Sequence, residues 1–214
     1  MKVLIFDTET TGIIPKKVTK LEDIPHILQL SYLFYNVNTS ELTSKNVYIK
    51  IHESIIIPEE AQKVNKITRE QLNNGINITD ALSEFARFYK ECDVIVAHNI
   101  DFDKQMVNYE CVRNNISPII HPFDPKKEFY CTMKKGINIC KIEKESKTDT
   151  KRKYYKWPKL LELHKHLFQY EPKNLHDAFN DNLVCLRCYL AMDKGYDICH
   201  IDEKFKKIFI QNLT

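Results

Sequence analysis

The stretch Val3-Leu4-Ile5-Phe6-Asp7-Thr8-Glu9-Thr10-Thr11-Gly12 decides the fold: an apolar run passes directly into two acids, three threonines and a glycine. Side chains of a strand alternate between its two faces. Asp7 and Glu9 therefore point the same way, from the end of a strand too apolar to lie at the surface. Two carboxylates crowded at a buried strand end repel each other, and one proton is retained unless a cation sits between the groups. Hard oxygen ligands at this spacing suit Mg²⁺ or Mn²⁺. The Thr10-Thr11-Gly12 that follows lets backbone N–H groups approach a phosphate or base closely, because glycine has no Cβ in the way. Asp-x-Glu on a strand is also common on solvated surfaces, so a metal site requires carboxylates from elsewhere in the chain.

The remaining composition narrows the class. At 214 residues, 43% hydrophobic and 29% charged, the chain can bury a sizeable core, and the simplest division is a single domain, 1–214. Met1 to Phe6 is too short for a signal peptide, no run reaches the length of a membrane span, and no lipidation motif is present. The expectation is an intracellular, cytoplasmic protein without a membrane partner. Seven cysteines at irregular spacing fit reduced thiols better than a disulfide framework. The net charge of +3 is unevenly spread: Lys134 to Lys159 holds ten basic and three acidic residues, which leaves the rest of the chain at −4. A basic segment on a slightly acidic body reads as an arm for phosphates, with Lys151, Arg152 and Lys153 at its centre.

Along the chain, Ile27 to Tyr35 and Leu42 to Ile51 read as strands around a turn at Asn36 to Ser40, giving an antiparallel meander with the first strand. Short helices open at Pro58 and Thr68, and the stripe Ala81, Leu82, Phe85, Ala86, Phe88 and Tyr89 predicts a helix over Thr79 to Cys92. Asp93 to Ala97 suits an interior strand, followed by His98-Asn99-Ile100-Asp101-Phe102-Asp103 and a helix from Asp103. If this strand runs parallel to the first, an acid here enters the same cleft, since α/β sheets bind ligands beyond the carboxyl ends of their strands. Phe129 to Thr132 suits an edge strand, whereas Lys141 to Lys156 is charged and without periodicity. Two more helices are predicted, one opened by Trp157-Pro158 and one over about Leu175 to Met192. His176 and Asp181 are five apart, ~140° on an ideal helix, so they share a face only if His176 belongs to the lead-in turn. Cys185, Cys188 and Cys199 with His200 suggest zinc by spacing, but Cys185 and Cys188 lie on an inward helical stripe and read as buried thiols. The stripe Ile201, Phe205, Ile208 and Phe209 reads as a C-terminal helix docked on its own core.

Asp7, Glu9, Asp103 and Asp181, from three separate segments and with His176 before the last, form a pattern that resembles the DEDDh (DnaQ-like) 3′-to-5′ exonucleases, a family that includes polymerase proofreading subunits. The matching stretches are Phe6 to Gly12, Val96 to Asp103 and His176 to Asp181. The likeness runs over about 1–192, leaving 193–214 as a helical extension. Pro58 to Thr68 is also similar, with Asn65-Lys66 where family members often have His-Gly. The resemblance implies a ribonuclease H-like α/β fold with a five-stranded mixed sheet flanked by helices. It implies two Mg²⁺ or Mn²⁺ ions, Asp7 bridging both, Glu9 and Asp181 completing the first, Asp103 acting through water on the second, and His176 as general base. Thr10, Thr11, Gly12 and Phe102 would hold the terminal nucleotide, with His98 and Asn99 beside it and His98 orienting the second motif. The implied partner is a DNA or RNA 3′ end, and a polymerase or other protein partner is compatible with the family. Two rival functions are an inactive nucleic-acid-binding domain, disfavoured because all five site residues are present, and a ribonuclease H-type endonuclease, disfavoured by the His176 to Asp181 spacing.

Overall fold

The computed structural model describes residues 1–121, 124–146 and 153–214. Its centre is a five-stranded mixed sheet in the order β3-β2-β1-β4-β5. The strands are β1 (Lys2–Thr10), β2 (Ile27–Asn36), β3 (Glu41–Tyr48), β4 (Val94–Ala97) and β5 (Glu128–Cys131). The first three form the expected antiparallel meander, and β4 and β5 run parallel to β1. Helices α1 (Glu59–Asn65), α2 (Arg69–Asn73), α3 (Ile78–Glu91) and α4 (Ile100–Arg113) alternate with these strands. They are followed by α5 (Thr132–Cys140), α6 (Leu160–Phe168), α7 (Ala178–Lys194), α8 (Ile198–Ile201) and α9 (Glu203–Leu213).

The alternation of β1 builds both layers. Leu4 and Phe6 enter one core with Leu82, Phe85, Met106 and Val107 of α3 and α4, where the Phe6 and Phe85 rings lie 5.3 Å apart. Val3 and Ile5 enter the other with Leu183, Leu186 and Leu190 of α7 and Phe205 and Phe209 of α9. Each large side chain buried in this way contributes roughly 1.5–3 kcal/mol. The same parity assigns Asp7 and Glu9 to the α7 side and Thr8 to the α4 side. Pairing between β1 and β4 ends at Ile5 with Val96, so β1 projects past the carboxyl end of β4 and carries its acids into the crevice there.

Three expectations are corrected. The last long helix begins at Ala178 rather than Leu175, because the Asp177 side chain accepts from the N–H groups of Phe179 (3.1 Å) and Asn180 (3.2 Å) and caps it. Helix α4 begins at Ile100 rather than Asp103, after Asn99 in the left-handed region, φ +77°. The segment Lys141 to Lys156 is not without regular structure: β6 (Glu143–Glu145) pairs antiparallel with β7 (Lys153–Tyr155). All six of these strand residues are exposed, so neither face buries an apolar row and no alternation marks them. Lys151 and Arg152 lie outside the described residues. Among the described residues no helix is long and apolar enough to cross a membrane.

Candidate active site

At the projecting end of β1, Asp7 and Glu9 meet Asp181 from the first turn of α7, and one carboxylate oxygen from each lies within 4.8 Å of the other two. Among the described residues no lysine or arginine forms an ion pair with any of the three. Burial, reinforced by Asp103, Asp181, Glu9 and Asp177, pushes the Asp7 carboxyl well above the usual carboxylate range. Burial and the same kind of repulsion raise Glu9 to about 8, and burial followed by Asp177 raises Asp181 to about 7. Such a group holds protons at neutral pH unless a cation replaces them, and an all-oxygen donor set fits a hard divalent ion. The carboxylates therefore fit the metal site that the sequence pointed to.

Asp103 reaches the site from the opposite layer. Its Oδ1 accepts from the backbone N–H (3.0 Å) and hydroxyl (2.8 Å) of Thr8, which faces α4 by strand parity. Burial still raises it to about 7, against the lowering effect of those two hydrogen bonds. Its charge acts on Asp7 from beyond the three-carboxylate set. Asp101, the neighbouring acid, turns outward and pairs with Lys134 and Lys104.

His176 is exposed in the lead-in turn, with φ +71°, a left-handed conformation that few non-glycine residues adopt. Its backbone N–H points at Asp181 Oδ1 at 3.4 Å, which ties the lead-in turn to the acid cluster. Sequence reading missed what fixes this turn. Gln29, paired across the sheet from Glu9, donates through Nε2 to Asp177 Oδ2 (2.9 Å) and to Asn46 Oδ1 (2.9 Å), and accepts from the Ala178 N–H (3.2 Å). A buried glutamine between the apolar Leu28 and Leu30 was the available signal.

Thr10, Thr11 and Gly12 line a cavity of about 480 Å³ with Glu9, Val64 and Phe102. The Thr10 hydroxyl donates to the Gly12 carbonyl (2.6 Å), and Thr11 exchanges bonds with His26, so the backbone here is fixed. Asn65 donates to the Thr10 carbonyl at 3.4 Å and accepts from the Ile67 N–H, tying α1 to the end of β1. Lys66 beside it has φ +58°, a conformation that favours glycine, the residue often found there in the family. His98 is engaged at both ring nitrogens. Nε2 donates to the Pro158 carbonyl (3.1 Å), so Nδ1 accepts from the Thr132 hydroxyl (2.9 Å), and burial holds the ring neutral, at about 4. It braces the second motif and leaves neither ring nitrogen for a nucleotide. Lys153 lies on β7, paired with Glu143, outside the acid cluster.

Residues 4–189 match the exonuclease family named for RNase T. The chain belongs to that family. Within it, the chain is 30% identical over 120 residues to DNA polymerase III PolC-type of Mycoplasma genitalium, a match over 56% of this chain and 8% of that protein. It is likewise 30% identical over 120 residues to DNA polymerase III subunit epsilon of Treponema pallidum, over 54% of this chain and 49% of that one. The chain thus spans about half or less of these relatives. Among solved structures, E. coli exonuclease I in complex with a dT13 oligonucleotide superposes with TM-score 0.66 at 14% identity, over 95% of this chain and 43% of that one. A 3′-exonuclease recognising the 3′ end of histone mRNA stem-loop superposes with TM-score 0.65 at 15% identity, over 91% and 64%. These likenesses establish the ribonuclease H-like exonuclease fold.

The other metal candidate falls away among the described residues: Cys185, Cys188 and Cys199 are buried free thiols, and the one group suited to a metal ion is Asp7, Glu9 and Asp181. The C-terminal helix packs inward through Phe205, Phe209 and Leu213.

Proposed function

We propose that the protein is a metal-dependent 3′-to-5′ exonuclease that removes nucleoside 5′-monophosphates one at a time from nucleic-acid 3′ ends. The observation that carries the reading is the uncompensated carboxylate set Asp7, Glu9 and Asp181, with His176 exposed at its edge and Asp103 behind it. Asp7, Glu9 and Asp181 would hold Mg²⁺ or Mn²⁺, with Asp103 acting through water. When bound, a pair of such ions supplies the positive charge that activates water and stabilises the departing 3′ oxygen. Thr10, Thr11 and Gly12 hold the terminal nucleotide through their backbone, and Phe102 offers a ring to its base. His176 accepts the proton of the attacking water at an imidazole nitrogen. Water oxygen bonds to phosphorus as the bond to the 3′ oxygen breaks, leaving a 5′-monophosphate and a new 3′-hydroxyl. The relatives span polymerase III subunits, an oligonucleotide-bound exonuclease and an mRNA 3′-exonuclease, so DNA and RNA strands are both assayed.

Replacing His176 by Ala tests the assignment. The rate falls by roughly 10² to 10⁴, while strand affinity and melting temperature hold, since the side chain is exposed. A His176→Ala variant with the parental rate would contradict the reading of this residue as the base.

A further inference from the structure

The hairpin β6–β7 exposes aromatic surface that the catalytic site does not use. Tyr154 is 46% exposed, Tyr155 47% and Trp157 60%, and none of the three rings packs on another aromatic ring among the described residues. Large rings held in water invite a partner. By strand alternation, continued by the Lys156 N–H to Ile142 carbonyl bond (2.9 Å), Tyr155 and Trp157 share one face with Lys141, Glu143, Glu145 and Lys153. Ile142 and Lys156 on the other face are partly buried, and Lys156 pairs with Glu162 of α6, so the Tyr155 and Trp157 face is turned outward. Residues two apart on a strand are separated by about 6.8 Å, twice the ~3.4 Å spacing of stacked bases. That interval admits one base between the rings.

We propose that this face is a stacking platform for unpaired nucleotides, upstream of the 3′ terminus bound in the cleft. The inference rests on the exonuclease reading and extends it to a strand-binding surface. Two observations favour a nucleic acid over a protein. The described residues between 134 and 159 include seven basic and two acidic ones; the ring face itself balances Lys141 and Lys153 against Glu143 and Glu145, and the excess basic charge surrounds it on Lys134, Lys135, Lys144, Lys156 and Lys159. The hairpin is also rooted beside the catalytic motif: the carbonyl of buried Pro158, next to Trp157, accepts from His98, and a Cβ on Gly136 would meet Pro158 Cγ at 2.9 Å, so the root is closely packed.

Trp157 is the one tryptophan in the sequence, so its fluorescence reports the platform directly in the unaltered protein. A 12-nucleotide oligo-dT is titrated in Ca²⁺, which occupies carboxylate sites but supports catalysis poorly. Saturable quenching is expected. The double change Tyr155→Ala and Trp157→Ala weakens affinity about 10- to 100-fold, whereas Tyr155→Phe with Trp157→Phe, which keeps the rings, stays near the parent. Both variants keep the parental melting temperature. If the parent binds and degrades strands but Trp157 is not quenched and the double Ala variant binds as tightly, the platform is refuted and the face belongs to a protein partner or to solvent. If the parent neither binds nor degrades any strand in Mg²⁺, the exonuclease reading fails and the platform fails with it.

Discussion

Without divalent cations, the acid cluster makes the fold's stability fall as pH rises, and the size of that fall can be worked from the site. Glu9 is raised from 4.5 to about 8, and Asp103 and Asp181 from 3.8 to about 7, with burial the first cause in each case. A carboxyl that binds its proton more tightly in the folded than in the unfolded chain stabilises the fold fully below its unfolded pKa. That contribution is lost as pH rises through the folded value. Between pH 7 and 9, Glu9 gives up about 1.4 kcal/mol and the two aspartates ~0.4 kcal/mol each, and Asp7 adds to the fall in the same direction. His98 and His164, held neutral at about 4 by burial, act mainly below the unfolded histidine value of 6.5 and leave this window largely clear. The three valued groups together lose about 2 kcal/mol, which corresponds to roughly 4–8 °C in melting temperature for a chain of this length. The assay is thermal melting in EDTA at pH 7, 8 and 9, repeated with Mn²⁺ and with Asp7→Asn. Melting temperature should fall across the window in EDTA, recover with Mn²⁺ at pH 8, and fall less in the Asn variant. A flat or rising melting temperature in EDTA, or no response to Mn²⁺, would refute the reasoning.

Two further outcomes follow from buried polar networks. Gln29→Leu leaves the Ala178 N–H and an Asp177 oxygen without their partner, costing ~1–3 kcal/mol. It should lower kcat more than it raises KM, because His176 and Asp181 flank the disturbed turn; steady-state kinetics showing no change in kcat would deny the positioning role. Arg187 pairs with Asp197 and lies 3.9 Å over the Phe168 ring and 4.9 Å from Phe209, joining α6, α7 and α9. Arg187→Ala should cost ~3 kcal/mol by stranding Asp197, seen as a lower melting temperature with the Mn²⁺ response intact; an unchanged melting temperature would contradict this.

The sequence disclosed those parts of the fold in which one face is apolar. The parity of β1 placed Asp7 and Glu9 together, and the periodicity of α3 and α7 marked their inward residues, because burial against a core imposes a repeat that can be counted. Where burial does not act, the repeat is missing, and the hairpin β6–β7, solvated on its strands, left no trace. The start of α7 is not legible locally because its cap is Asp177, an acid between two motif residues, whose second carboxylate oxygen is held by a glutamine 148 positions away. The bonds of His98 to Thr132 and Pro158 are equally long-range, so spacing could suggest a bracing role but not name its partners.

The most direct test is product analysis with a 3′-labelled single strand, run on matched DNA and RNA in Mg²⁺, with Asp7→Ala beside the parent. Asp7 is the acid on which the other three converge, and removing a repelling carboxylate should leave the fold standing. The account predicts labelled nucleoside 5′-monophosphate from the parent, none in excess EDTA, and none from folded Asp7→Ala. Turnover in excess EDTA, release by Asp7→Ala at the parental rate, or internal fragments from a strand blocked at its 3′ end would contradict it.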